Sequence, residues 1–428
     1  MEQEIKAYSI EGIESVMRGL GQPRFRADQL FQWLYLHGVS DYGEMSNLPL
    51  SLRKSLGEEH PLKQTRIIDR QVSNDGTRKY LLEFEDGARV EAVAMPTYPD
   101  SGSEQAQYLE PTSCLPLPSK NNEKAPAESP SRPSLARGGN ARHLLDISAE
   151  SPSRPSPAVA TDVHPTAFTV PEPLAAKRLT VCFSTQVGCA MGCAFCATGT
   201  EGFSRNLLPG EIVDQVFAVQ KDFDSRVSNL VAMGQGEPFL NYDSTLAALR
   251  ILNSPKGLAI GARHITVSTC GIIEGIKRLA DEPEQFTLAV SLHSAEQAVR
   301  DRLMPKLAKE PLSQLKSALF DYQERTNRRI TLEYAMIDGI NDTPVALTAL
   351  TDFCSGLLCH VNLLPINPIV QKGRSGNSAT CLFLPSGEKA VHGWLASLEK
   401  ARIPATLRNP RGADIAGACG QLTSLTPR

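Results

Sequence analysis

The sequence predicts an α/β fold: a partial (β/α)6 barrel, preceded by a small helical region and a β-hairpin extension. Three observations predict it. Strand-like runs near 178–184, 227–233, 263–268, 286–291, 329–335 and 359–364 alternate with helix-like segments such as 211–221, 244–251 and 313–325. Such alternation gives parallel strands joined by helical crossovers. Residues 1–62 repeat apolar positions at helical spacing, and 80–84 with 88–95 read as two strands around Asp86-Gly87.

Taken in order, Ile13, Val16, Met17 and Leu20 mark a first helix. A second stretch, 28–36, holds Leu30, Phe31, Trp33, Leu34 and Tyr35, and a third helix near 50–56 closes a small bundle. Residues 63–96 form the hairpin extension. Residues 97–176 differ in kind. They hold 13 of the 30 prolines and repeat Ala-Glu-Ser-Pro-Ser-Arg-Pro-Ser from Ala127 and from Ala149. Such a composition buries too little apolar area to offset its ordering entropy, so a disordered insertion is expected. Residues 177–428 are the expected catalytic domain, ending in a further strand near 403–407.

The chain has 428 residues, a formal net charge of −3 and 41% hydrophobic residues. A large core is affordable, but no global basic footprint marks a nucleic-acid binder. The first 60 residues carry 6 Lys/Arg against 9 Asp/Glu, so RNA contact would need a local patch. No apolar run has the length of a membrane helix, and the acidic start Met-Glu-Gln-Glu is unlike a signal peptide, so a cytoplasmic location and no membrane are expected. In a reducing compartment, ten cysteines should be thiols, ligands or catalytic groups.

Three of them carry the strongest signal. Cys189-Ala-Met-Gly-Cys193-Ala-Phe-Cys196 follows the first barrel strand. Three thiolates on one short loop can hold three irons of a cubane and leave the fourth open. A structural zinc site would want four ligands, and most clusters use four cysteines. The spacing therefore suggests chemistry at an open iron.

This C-x-x-x-C-x-aromatic-C pattern resembles the radical S-adenosylmethionine superfamily. Thr185-Gln-Val-Gly-Cys189, Gly202-Phe-Ser-Arg-Asn206, Met233-Gly-Gln-Gly-Glu-Pro238, Ser291-Leu-His293 and Gly412-Ala-Asp-Ile-Ala-Gly-Ala-Cys-Gly-Gln-Leu422 narrow the resemblance. Together they are similar to the family that methylates carbon 2 of adenine-2503 in 23S rRNA and of adenine-37 in tRNA. Gln235 and Gly417 depart from the family's motifs, and the insertion is the main departure.

The resemblance implies a radical S-adenosylmethionine barrel with a [4Fe–4S] cluster on Cys189, Cys193 and Cys196. It implies two S-adenosylmethionine molecules per turnover, one to methylate a cysteine and one to make a radical. Cys419 matches the methyl-carrying cysteine, Cys182 the resolving cysteine, whose disulfide with it is transient, and Glu91 the proton acceptor. Gly236, Glu237, Ser268, Ser291, Leu292, His293 and Asn367 match cofactor contacts, with Glu237 receiving the cofactor's ammonium. The implied partners are 23S rRNA, tRNA and an electron donor such as a flavodoxin-type reductase system. Arg24, Phe25, Arg26, Trp33 and Tyr35 are candidates for RNA contact, although such aromatics also serve as core. Two alternatives stay open: a carbon-8 methyltransferase acting on the same rRNA adenine and conferring antibiotic resistance, and a non-catalytic iron–sulfur RNA-binding protein.

Overall fold

The computed structural model describes residues 5–98, 178–372, 379–381 and 383–423. The predicted insertion lies outside the described residues from residue 99 onward. The N-terminal region forms three helices, α1 (Ile10–Gly19), α2 (Phe25–Tyr35) and α3 (Leu50–Glu59). Ser9 caps α1 by accepting from the Gly12 N–H at 3.4 Å, satisfying one amide that a helix start leaves open. In α2 the buried residues Ala27, Leu30, Phe31, Leu34 and Tyr35 share one helix face. Tyr35 is therefore core rather than an RNA contact. Trp33 is partly buried and donates Nε1–H to Asn47 Oδ1 at 2.6 Å. Phe25 is 53% exposed, with the Arg26 guanidinium 4.8 Å from its ring centre.

Three antiparallel strands follow: β1 (Arg66–Val72), β2 (Arg78–Glu83) and β3 (Arg89–Thr97). The expected hairpin is β2–β3, with Gly87 at φ +79° in its turn. The strand β1 was not expected. Its side chains are almost all exposed, so no alternation of apolar and polar residues announces it. β3 pairs antiparallel with β4 (Arg178–Cys182), placing Thr97 opposite Arg178 and Val93 opposite Cys182.

A short antiparallel ribbon, β5 (Gln186–Gly188) with β6 (Phe203–Asn206), flanks α4 (Ala197–Glu201). Then α5 (Pro209–Phe223), β7 (Asn229–Ala232), α6 (Tyr242–Asn253), β8 (Ile265–Thr269), α7 (Ile273–Asp281) and β9 (Thr287–Ser291) alternate. The helices α8 (Gln297–Leu303) and α9 (Leu312–Thr326) lead to β10 (Ile330–Met336), α10 (Pro344–Cys354) and β11 (Cys359–Pro365). A second ribbon, β12 (Val370–Lys372) with β13 (Ala379–Cys381), precedes α11 (Glu388–Lys400) and β14 (Ala405–Leu407).

The main sheet has ten strands in the order β1-β2-β3-β4-β7-β8-β9-β10-β11-β14. Every neighbour from β4 to β14 is parallel. The six expected barrel strands are thus β4 and β7 to β11, with β14 as a seventh. Parallel strands are covered on both faces and read as apolar runs. Four buried polar residues, Ser268 and Thr269 on β8, Glu333 on β10 and Asn362 on β11, break that rule; the first three line the site, and Asn362 Nδ2–H donates to Glu333 Oε1. Among the described residues, no helix is long and apolar enough to cross a membrane.

Candidate active site

The strand C-termini converge on a cavity of about 180 Å³. Ligand sites in parallel α/β folds gather at this end because the loops there are free to carry function. The Cys189–Cys196 loop hangs from the β5–β6 ribbon, where the Cys189 N–H donates to Gly202 O at 2.7 Å. Ala194 N–H donates to Leu303 O at 2.9 Å, tying the loop to α8. Behind it Met191, Leu303, Met304, Leu307, Ile337 and Ile366 form an apolar cradle.

Cys189, Cys193 and Cys196 all line the cavity. Burial raises each thiol's pKa, that of Cys189 to about 11. Among the described residues, no three His, Cys, Asp or Glu side chains converge as ligands of one metal ion. A cubane asks instead for each thiolate on a separate iron, which three spaced thiols in an apolar cradle suit. Cys270, at the end of β8, also reaches this wall, a neighbour that the linear spacing could not reveal. Burial, then the Glu237 and Cys193 charges, raise its thiol pKa well above the usual value. The loop thiols are then three, as the sequence suggested.

Glu237 is buried. Its Oε1 accepts from Phe239 N–H at 3.1 Å and its Oε2 from Cys270 N–H at 2.7 Å. Burial raises its pKa while these donors pull it down. Gly236 before it has φ +101°, and a Cβ there would lie 2.6 Å from Gln186 Cβ, so only glycine fits. Ser268, Ser291 and Asn367 line the cavity from β8, β9 and the end of β11.

His293 also lines it, at φ +54°, a strained conformation for a residue with a Cβ. Its Nδ1 accepts from Ala335 N–H at 3.0 Å, which puts the neutral ring's proton on Nε2. Burial, with Arg300 nearby, lowers its pKa to about 3. Phe195 meets the ring edge-on at 4.8 Å. Leu292 is the exception in its motif: its side chain belongs to the main core and does not line the cavity.

The tail after β14 brings Cys419 to the cavity wall. Cys419 is the one exposed thiol among the described cysteines. It opens onto the cavity yet is closely surrounded by protein, and this desolvation, then the Glu333 carboxylate, raises its pKa to about 11. Four bonds tie Cys419 and the residues after it to the rest of the protein. Asn367 Nδ2–H donates to Cys419 O at 3.1 Å, Ala197 N–H to Gly420 O at 2.7 Å, Thr198 Oγ1–H to Leu422 O at 2.7 Å, and Thr423 N–H to Glu91 Oε2 at 2.8 Å.

Glu91 and Cys182 do not line the cavity but stand behind it. Cys182 packs with Val93 and Leu422, and burial followed by the Cys419 charge raises its pKa. Cys182 and Cys419 are both free thiols. Glu91 is 6% exposed and its Oε1 pairs with Lys79 Nζ at 3.0 Å. Burial raises its pKa and Lys79 opposes the rise. Sequence reasoning missed Lys79, Thr198 and Glu333. Only Glu333 gave a signal, as a lone charge inside an apolar strand.

Comparison with known proteins places this arrangement. The profile of the radical SAM superfamily matches residues 183–350, and that of the ribosomal RNA large subunit methyltransferase N-terminal domain matches residues 4–61. The chain is 36% identical over 420 residues to a probable dual-specificity RNA methyltransferase RlmN of Alkaliphilus metalliredigens, covering 98% of this chain and 94% of that one. A protein of the same name from Synechococcus elongatus is 38% identical, covering 94% and 88%. The crystal structure of a radical SAM methyltransferase from Sphaerobacter thermophilus superposes with a TM-score of 0.75 at 33% identity, covering 99% of this chain and all of that one.

Fold and site thus define a radical SAM enzyme, a class whose cofactors are a [4Fe–4S] cluster and S-adenosylmethionine. More narrowly, the chain belongs to the RlmN family of RNA methyltransferases.

Proposed function

We propose that this enzyme methylates carbon 2 of adenine in 23S rRNA at position 2503 and in tRNA at position 37, through a methylated Cys419 and a covalent RNA intermediate. The observation that carries the reading is the tail. It sets Cys419 on the wall shared by the three cluster cysteines, and its next residues touch Cys182 and Glu91. Carbon 2 is electron-poor, so a methyl cation equivalent does not add there, whereas a carbon radical does.

Cys189, Cys193 and Cys196 would hold the cluster, leaving one iron for the amino and carboxylate groups of S-adenosylmethionine. Bound together, these groups supply a reductive cleavage that yields a 5′-deoxyadenosyl radical. Glu237 and Gly236 would receive the N–H groups of the methionyl amine, and Ser268, Ser291, His293 and Asn367 would seat the rest. Leu292 would serve by holding its neighbours, since its side chain is core and its backbone bonds Glu333, Ser294 and Arg300.

Cys419 gives up its thiol proton and takes a methyl group from one S-adenosylmethionine, which leaves as S-adenosylhomocysteine. That methyl group then gives one hydrogen atom to the deoxyadenosyl radical, and its carbon adds to adenine C2. The adduct radical loses one electron, returned to the cluster that supplied it, and its C2 proton to Glu91. The Cys182 thiolate attacks the Cys419 sulfur to form a disulfide, and the released carbon takes a proton to become the methyl group of the freed base. Lys79 holds Glu91 ionised for that step, while burial keeps its pKa high enough to be an effective base. The target base must leave its stack to reach Cys419, and the exposed Arg24 and Phe25, with the half-buried Arg26, would be the N-terminal groups that touch RNA.

The test is a nucleoside digest of rRNA and tRNA from cells with and without the gene, read by mass spectrometry. Gene-dependent 2-methyladenosine in both RNAs is expected. 8-Methyladenosine in its place would reassign the enzyme to the carbon-8 reaction, and neither product would remove the catalytic reading.

A further inference from the structure

Behind the cluster cysteines, α8 carries a buried arginine that the reaction above does not use. Arg300 is 1% exposed. Its Nη1 donates to Leu292 O at 2.5 Å and to Ser291 O at 3.1 Å, and its Nη2 to Cys270 O at 2.6 Å. Nη1 also lies 3.4 Å from Met304 Sδ in the apolar cradle. Its Nε is buried with no hydrogen-bond partner. Met304 and Cys270, which it bonds, line the same cavity wall as Cys193. Burial lowers its pKa, and Cys270, Cys193 and Asp301 oppose this in that order, while burial, then the Glu237 charge, raises the Cys270 thiol well above its usual pKa.

A buried cation held by carbonyl oxygens alone is costly, and a buried N–H without an acceptor adds to that cost. Negative charge at Cys193 offsets the first of these. We infer that Arg300 is the fixed counter-charge of the cluster, a positioning residue that makes the cluster easier to reduce. This rests on the reading that Cys189, Cys193 and Cys196 hold a cubane. Such a cluster with three thiolates is anionic and gains a further negative charge when reduced. A cation fixed beside one ligand therefore favours the reduced form, and its low-dielectric setting strengthens the effect.

The test uses the reconstituted full-length enzyme without S-adenosylmethionine, with iron and sulfide content, thermal melting and the reduction potential of the cluster as readouts. R300Q and R300M both remove the charge, and R300M suits the apolar cradle. Either should keep three-cysteine cluster loading but shift the reduction equilibrium by about tenfold toward the oxidised form, which is ~59 mV for a one-electron couple. R300K should return the potential to within about threefold of the wild-type equilibrium, even if it melts earlier.

A loaded neutral variant with an unchanged potential overturns the inference. If neither neutral variant folds, the lysine variant decides: a tenfold shift despite its charge overturns the inference, and a wild-type potential supports it. Wild-type protein that takes up no cluster would instead overturn the cluster reading itself.

Discussion

Lys79→Met should move the pH at which the enzyme loses activity. Lys79 Nζ sits 3.0 Å from Glu91 Oε1, and both side chains are nearly buried. At an effective dielectric of 20, that separation corresponds to an attraction of about 5.5 kcal/mol. Much of it is offset by the cost of desolvating the lysine, and Thr423 N–H still bonds Glu91 after the substitution. An opposite charge this close lowers a carboxyl pKa by about 1–3 units, or roughly 1.4–4 kcal/mol.

Glu91 already lies above the ordinary carboxylate value through burial. As a base it works only when unprotonated, so the rate is full above its pKa and falls on the acid side. Loss of Lys79 raises that pKa further, and the acid limb should move up by about 1–3 pH units. The assay is single-turnover release of methylated RNA across pH, with the covalent protein–RNA adduct followed in parallel. On the acid side the variant should accumulate adduct that discharges when the pH is raised.

Stability should change in the matching sense. A carboxyl whose folded pKa is raised favours folding when protonated. The variant is then most stable below the unfolded value of 4.5 and loses that advantage as pH rises through its folded value. Lys79→Arg should restore the wild-type profile. A folded Lys79→Met enzyme whose acid limb coincides with that of the wild type would refute the reasoning.

Other consequences are simpler to state. Thr198→Val removes the donor to Leu422 O and strands a buried carbonyl, costing about 1–3 kcal/mol in denaturant melts. It should also slow adduct formation at Cys419 while leaving S-adenosylmethionine binding intact. Gly236→Ala puts a Cβ 2.6 Å from Gln186 Cβ at φ +101°, for about 2–5 kcal/mol of strain and crowding; calorimetry should show lost cofactor binding. Replacing residues 99–177 by a short hairpin turn should preserve melting temperature and activity, because Thr97 and Arg178 are already cross-strand partners. Destabilisation by more than about 2 kcal/mol would show that the segment contributes to the fold.

The barrel was legible because parallel strands buried on both faces must be apolar runs, and their helices must be amphipathic. The three loop thiols were legible as a group because they are neighbours in sequence. Edge strand β1 was not, since an exposed strand such as Arg66–Val72 leaves no periodic trace. The aromatics of α2 were legible as a set but not in their use. Only packing separated Tyr35, in the core, from Phe25, on the surface.

By itself the sequence determined the α/β class and the open-iron motif, and through its motif resemblance it named Cys419, Cys182 and Glu91. It could not show what joins them. Those three lie on a tail, the first parallel strand and a hairpin, hundreds of residues apart in places, and their order in the chain carries no distance. Tertiary structure decided that Leu422 packs on Cys182, that Thr423 bonds Glu91, and that Lys79 and Arg300 stand behind the groups that react. The physical reason is that a buried charge is tolerated only beside its partner, and partners are chosen by the fold rather than by sequence spacing.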